Sequence, residues 1–410
     1  MTRPVSSLRG KITSFQACQS EWYGFKSQLL KRVRRWKVSG KQNKFDNLNI
    51  SDCIHAMVID GPGTVVDRIK LKLPFSVIAS TRNSTSNDTE AEGWPSLEGR
   101  KFPNIYDLDY KGCLGGGSFG LVVHAIDRSD DYSCAMKFIF PPEIFVSNGP
   151  DWKSIMRECK IAIELEPHPN LVRSFGVVMR RISVEEYNTI FPSNFMTSEE
   201  TRRLRAIHLD RVDRVEKIPA ICITMEICGE NLRQWLNETQ DAPQIRHQQL
   251  VIIRNMVSGL KYLHDRRIRH CDLKPENVLF TNEEYNLPVK IGDFGLSRIT
   301  NSFEVTTTAS DFGTREYMAP ETLGTKTYYD QSDLFSLGLV IWEVAQLIKF
   351  NKRRKFFDRL VNDQKVGLIK LHTEIEDVRE LIIGLTKRDM AERVQSITDV
   401  AQVVEKWKLT

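Results

Sequence analysis

The stretch "DLFSLGLVIWEVAQLI", residues 333–348, constrains the fold more than any other part of the sequence. It is apolar nearly all round at helical spacing, so as a helix it has no face to give to water and must lie inside other elements. At 16 residues it is shorter than the ~18 apolar residues a membrane span needs, and no other run reaches that length. A buried helix of this kind demands a large helical unit around it. The chain can supply one: of 410 residues, 41% are hydrophobic and 27% charged, and the length suggests two or three units.

The charge is uneven. Residues 1–45 hold eleven Lys or Arg against one acid, Glu21, and so carry +10, which leaves −5 on the rest of a chain whose total is +5. Within this basic tail, Phe25, Leu29, Val33 and Trp36 fall on one helical stripe. Such a tail suits RNA or another acidic partner, an anionic lipid surface, an importin or a mitochondrial presequence, or is simply a solvated arm. Residues 46–105 form a small second region. Short strands are expected around the Gly-Pro-Gly of "AMVIDGPGTVVDRIKLKL", followed by the polar linker "STRNSTSNDTEAEGWPS". The N-terminus has no compact apolar run, which argues against a secretory signal. Eight cysteines without a CxxC pair fit reduced thiols inside a cell. The cytoplasm is the expected compartment, with the nucleus as the alternative, and an integral membrane protein is not expected.

From residue 106 to the end, strands come first and helices follow. "CLGGGSFGLVVHAID" and "YSCAMKFIF" read as strands, a helix begins near Pro150, and strands recur from Leu171 to Ile227 around a charged insertion at about 181–217. "LVIIRNMVSGLKYLH" then places Leu250, Ile253, Val257 and Leu260 on one helical face. The expected class is α+β, a small strand-rich lobe with one main helix and a larger helical lobe.

Several residues in this region have the types and spacing that chemistry needs. Gly115, Gly117 and Gly120 make G-x-G-x-x-G-x-V with Val122, a turn whose amides can approach phosphate oxygens. A plain glycine turn between strands would read the same, and the following strand disfavours a dinucleotide site, which needs a helix there. Lys137 sits in an apolar strand, costly unless an anion meets it or it snorkels to water, and Glu158 on the next helix is a candidate partner. "RHCDLKPENVLF" sets Asp272, Lys274 and Asn277 on one loop, and "IGDFGLS" adds Asp293. A carboxylate with an amide oxygen is hard-cation chemistry, suited to Mg²⁺ shared with phosphates. Asp272 can accept a proton from an attacking hydroxyl while Lys274 holds the phosphoryl group in transfer.

In this order the elements resemble the protein kinase superfamily, with "APE" at Ala319–Glu321 completing the set. The resemblance covers roughly Tyr106 to Trp407 and implies the bilobal protein kinase fold. It implies ATP and Mg²⁺ as cofactors, with catalytic roles for Asp272, Lys274, Lys137 and Glu158 and metal ligation by Asn277 and Asp293. Gly115, Gly116, Gly117 and Gly120 would take the phosphates, with Lys137. Val122, Ala135 and Leu279 would sandwich adenine, and the backbones of Glu226 and Cys228, beyond the gatekeeper Met225, would bond its edge. Glu321 should pair with Arg393, and Asp333 should brace the catalytic loop. Lys274 and Thr314 resemble serine/threonine kinases more than tyrosine kinases.

Cys271 stands where family members usually have an Arg that pairs with a phosphate on the activation segment. Thr306, Thr307, Thr308 and Ser310 remain candidate phosphate acceptors, with Arg298 or Arg315 as substitute partners. The expectation is therefore intact catalysis with altered dependence on such phosphorylation, and an inert buried thiol at 271. The insertion, "MEICGENLRQWL" and the helix with Phe356, Phe357 and Leu360 look like kinases that phosphorylate the alpha subunit of translation initiation factor two, including the double-stranded-RNA-activated member. That likeness implies this subunit as the protein substrate and a homodimer formed through the small lobe. It also leaves two roles open for the three apolar residues: substrate docking, or packing under the activation segment. The alternative function is a catalytically silent kinase-fold scaffold or RNA-binding adaptor. Silent members generally lose the equivalents of Lys137, Asp272 or Asp293, and all three are present here.

Overall fold

The protein is described from a computed structural model that covers residues 107–117, 120–141, 150–299, 306–307, 314–325, 327–363, 366–372 and 375–407, together with two short strands before them. Those strands, β1 (Ile54–Ala56) and β2 (Ile69–Leu71), pair antiparallel, and the Gly-Pro-Gly between them lies outside the described residues. The basic tail with its apolar stripe, and the polar linker, lie outside the described residues.

The chain divides into two compact units. The strand-rich unit takes the chain up to Tyr132, Met136–Lys153 and Gly176–Thr224; the helical unit takes Ser133–Ala135, Ser154–Phe175 and everything from Met225. The strand-rich unit is built on one five-stranded sheet. β3 (Leu108–Gly117), β4 (Gly120–Asp127), β5 (Tyr132–Ile139), β6 (Ser174–Ser183) and β7 (Lys217–Glu226) lie in the order β3-β4-β5-β7-β6. β3 and β4 form a hairpin whose register pairs Gly117 with Gly120, Gly116 with Leu121 and Gly115 with Val122. Gly120 has no alternative, because a Cβ there would fall 1.9 Å from the Phe138 carbonyl oxygen of β5.

The insertion between β6 and β7 is helical rather than a bare charged loop. After α1 (Pro150–Glu164), the helices α2 (Val184–Ile190) and α3 (Glu199–Val215) each begin at a capping box: Ser183 with Glu186, and Ser198 with Thr201. Their inward residues close over β5. Phe138 meets Phe191 edge-on at 5.2 Å, and Phe140 lies 4.3 Å from the His208 ring. Burial, with the charge of Arg211 beside it, lowers the His208 pKa to about 4, so its imidazole is neutral inside this cluster.

In the helical unit, α4 (Leu232–Glu238), α5 (Arg246–Asp265), α6 (Pro320–Thr325), α7 (Asp330–Gln346), α8 (Phe350–Val361), α9 (Val378–Leu385) and α10 (Ile397–Glu405) surround one core. α7 is the stretch that opened the sequence argument, and every residue from Ser332 to Ala345 on it is buried. Full burial carries two carboxylates inside, and each is paired. Glu343 accepts from Arg233 at 2.8 and 3.1 Å and from Tyr317 Oη at 2.5 Å. Burial raises the Glu343 carboxyl, with Arg233 and Tyr317 opposing that shift. The expected Glu321–Arg393 pair is present and bidentate, at 2.8 and 3.0 Å, with Arg393 only 2% exposed. Arg393 also donates to the carbonyls of Gln331 and Lys387, so it ties α6, α7 and the segment before α10 together.

Removing one partner of such a pair leaves a charge buried without compensation. Arg393→Met is therefore expected to lower the unfolding free energy by about 3–5 kcal/mol. Lys261→Ala, which breaks the i,i+4 pair with Asp265 at a side chain 34% exposed, is expected to change it by less than about 1 kcal/mol. Urea unfolding of both variants checks this, and equal losses would contradict it.

Candidate active site

The loop between β8 (Ile268–Arg269) and β9 (Val278–Leu279) is held from α7. Asp333 accepts the His270 amide at 2.7 Å on Oδ2 and the Cys271 amide at 2.8 Å on Oδ1, and His264 Nε2 lies 2.9 Å from Oδ2. This fixes Cys271 in the left-handed region at φ 66°, a conformation that disfavours an L-residue by about 1–2 kcal/mol. The Asp272 amide donates to His270 Nδ1 at 3.3 Å, which makes that nitrogen the acceptor and leaves Nε2–H to donate to the Gly292 carbonyl at 3.0 Å. The loop is thereby joined to the residue preceding Asp293.

The side chains ahead of this anchor converge. Asp272 Oδ1 accepts the Thr314 amide at 3.0 Å; Oδ2 accepts Asn277 Nδ2 at 3.1 Å and lies 2.8 Å from Lys274 Nζ. Lys274 Nζ also donates to Thr314 Oγ1 at 2.8 Å. Asn277 Nδ2 further donates to the Asp272 carbonyl at 2.8 Å, so its amide nitrogen is engaged on the loop and Oδ1 is the atom turned to other use. Asp293 is exposed, in the left-handed region at φ 58°, just after β10 (Lys290–Ile291). Hard oxygen donors from Asn277 and Asp293 fit Mg²⁺. Among the described residues no group of three or more His, Cys, Asp or Glu could hold a metal ion.

Other expected residues are placed as follows. Glu226 ends β7; its amide donates to the Arg173 carbonyl at 2.9 Å, and its carboxylate takes the Arg173 amide at 2.6 Å and Lys290 Nζ at 3.1 Å. Cys228 is half-buried, and burial pushes its thiol up to about 12. Leu279 is half-buried on β9, Ala135 is buried on β5, and Glu158 is 8% exposed on α1. In the strand-rich unit, Gly115, Gly116, Gly117 and Gly120 lie on the β3–β4 hairpin, with Val122 half-buried on β4 and Lys137 half-buried on β5.

The sequence reading missed two contributors. One is the Thr314 backbone amide on Asp272, invisible because it is backbone. The other is Arg157, directly before Glu158, which adds its charge with Arg298 and Arg269 around Cys271. Its position in "MREC" was the available signal. Burial raises the Cys271 thiol well above its usual range, with Asp333 reinforcing the shift and the three arginines opposing it, so the thiol stays protonated and unreactive. Of the two expected substitute partners, Arg298 is 7% exposed and donates to the carbonyls of Leu296 and Ser297, and Arg315 is exposed. Thr308 and Ser310 lie outside the described residues. Of the docking candidates, Phe357 and Leu360 are each 4% exposed and belong to the core, and Phe356 stacks edge-on against Trp342 at 5.7 Å. Packing is what these three residues do.

Comparison with known proteins agrees with this anatomy. A model of the protein kinase domain matches residues 108–406. The chain belongs to the protein kinase family. Similar proteins include the serine/threonine-protein kinase dkf-1 of Caenorhabditis elegans, 28% identical over 72% of this chain and 36% of that protein. The interferon-induced, double-stranded RNA-activated protein kinase of Rattus norvegicus is 28% identical over 61% of this chain and 43% of its own length. The eukaryotic translation initiation factor 2-alpha kinase pek-1 of C. elegans is 30% identical over 42% of this chain and 17% of its own length. The chain thus spans less than half the length of each of these relatives.

The Asp333 carboxyl is pushed up by burial but pulled down more strongly by the hydrogen bond to His264 and the Cys271 amide, so it ends below its ordinary value. A lowered folded pKa means that its contribution to stability is complete above about pH 4 and is lost as pH falls through the folded value. Asp333→Asn should destabilise by about 3 kcal/mol at neutral pH. The urea midpoints of wild type and variant should converge as pH drops below about 4. Equal midpoints at pH 7 would contradict the anchoring role.

Proposed function

We propose that this chain is an ATP-dependent serine/threonine protein kinase. The observation that carries the reading is the Asp272 carboxylate held at once by the Thr314 amide, Asn277 Nδ2 and Lys274 Nζ. Those three bonds orient Asp272 to take the proton of an incoming Ser or Thr hydroxyl, and positioning of this kind is most of what phosphoryl transfer asks of a protein. Lys274, between Asp272 and Thr314, steadies the phosphoryl group being transferred. Asn277 and Asp293 would hold Mg²⁺, which when bound neutralises phosphate charge. The nucleotide roles of Gly115, Gly116, Gly117, Gly120, Val122, Ala135, Lys137, Glu158, Glu226, Cys228 and Leu279 belong to the same proposal. Among the described residues no helix is long and apolar enough to cross a membrane.

For the substrate we propose the alpha subunit of translation initiation factor two. The likeness of the insertion and of α8 to that kinase group supports this, as does the similarity to a relative named for that activity. The docking face is not the apolar pattern of α8 but its exposed side, Phe350, Lys352, Arg354 and Lys355. The basic tail is assigned to RNA or another acidic partner on its charge alone, and homodimerisation remains part of the proposal.

Purified protein with Mg²⁺ and labelled ATP should transfer label to Ser or Thr of the initiation factor alpha subunit, and more weakly to a generic basic protein. Label on the generic acceptor alone would remove the substrate assignment, and phosphotyrosine as the product would overturn the class. Alanine at Thr306, Thr307, Thr308 and Ser310 together should leave at least half of the activity. Its loss would show that the arginines around Cys271 still depend on a phosphorylated segment.

A further inference from the structure

The phosphate-loop pattern G-x-G-x-x-G leaves its second position unconstrained, yet this chain has a fourth glycine there, Gly116. Space explains it. A Cβ at Gly116 would stand 2.9 Å from Leu204 Cδ1 and 3.5 Å from Thr201 Cγ2, whereas one at Gly115 would meet nothing within 4 Å. Leu204 and Thr201 come from α3, the long helix of the insertion, and a third neighbour, Leu121 Cδ2 at 3.5 Å, comes from β4.

The same face of α3 continues away from the hairpin. Thr201, Leu204, His208 and Arg211 are spaced as one helical stripe. Thr201 and His208 are 3% exposed and Arg211 8%. His208 packs on Phe140, and an Arg211 guanidinium nitrogen donates to the Pro141 carbonyl just past β5. Arg205 ties the helix back to α2 through the Phe191 carbonyl at 2.6 Å and Asn188 Oδ1 at 2.7 Å. Side chains alternate along a strand, so Phe138 takes one face of β5, with Phe140 just past the strand's end, and Lys137 takes the other. One rigid helix therefore bears on the glycine-rich hairpin at one end and on the back of the lysine strand at the other.

We propose that α3 is a splint for the glycine-rich loop, with Leu204 and Thr201 as positioning residues that set its height over the nucleotide phosphates. This rests on the kinase reading above. The splint makes nucleotide affinity depend on side chains about 90 residues away in sequence that touch no substrate atom.

The coupling can be read from Gly116→Ala, Leu204→Ala and the double variant, made in the full chain. ATP affinity with Mg²⁺ would be measured by calorimetry, and amide hydrogen exchange across residues 112–122 followed without nucleotide. Gly116→Ala should weaken ATP binding by roughly 3- to 30-fold, since its methyl needs the space of Leu204 Cδ1. Leu204→Ala should speed exchange in the hairpin and weaken ATP binding by a smaller factor. The double variant should recover most of the Gly116→Ala loss, because the two changes exchange volume across one contact. Leu204→Met, which keeps the volume, should match wild type and guards against a variant that merely unfolds. A double variant whose losses simply multiply, or hairpin exchange unchanged in Leu204→Ala, would overturn the splint. Wild-type protein that bound no ATP would instead overturn the kinase reading, and the exchange data would still decide the splint.

Discussion

The structure depends on one carboxylate. Asp333 lies inside a helix that gives no residue to water between Ser332 and Ala345, and both its oxygens are spent on backbone amides of the loop beneath. A buried anion is tolerated only when fully hydrogen-bonded. Here His264 and the amides of His270 and Cys271 supply those bonds. The requirement runs in both directions: the helix must be buried to make the anchor strong, and the loop must take a left-handed turn at Cys271 to reach it. From that turn Asp272 emerges toward Thr314, Lys274 and Asn277, and His270 reaches across to Gly292. Most of the geometry around Asp272 is the consequence of this one anchor.

Much of this was legible in the sequence for physical reasons. Side chains that act together from one loop need fixed spacing, so Asp272, Lys274 and Asn277, the residues proposed for the reaction, could be read together and are hydrogen-bonded together. Apolar residues all round α7 allowed only burial, and Glu321 found Arg393 as the resemblance implied. What escaped was carried by backbone or hidden by composition. The Thr314 amide has no side-chain signature. α3 reads as charged because its inward stripe uses Thr201, His208 and Arg211, polar residues that find partners in the Ser198 carbonyl, the Tyr187 hydroxyl and the Pro141 carbonyl. Phe357 and Leu360 looked equally suited to a partner or to a core; Trp342 and Tyr317, far off in sequence, decided for the core.

The departures from the family pattern lie away from the reacting atoms. Cys271 replaces a charge with a small thiol, yet its backbone makes the bond to Asp333 that matters for Asp272. Three arginines remain around it, beside the Asp333 carboxylate. Gly116 and α3 are a second, where the proposed splint acts on the hairpin through Leu204 and Thr201. Both changes act on how the machinery is held, not on the groups assigned to proton and phosphoryl transfer.

The most direct measurement compares wild type with Asp272→Asn, titrating ATP by calorimetry and timing a single turnover of labelled phosphoryl transfer. The account expects ATP affinity within about threefold and a transfer rate lower by roughly 10²- to 10⁴-fold, the range expected for loss of a general base. Transfer at near wild-type rate in Asp272→Asn, or no transfer by either protein despite bound ATP, would contradict it.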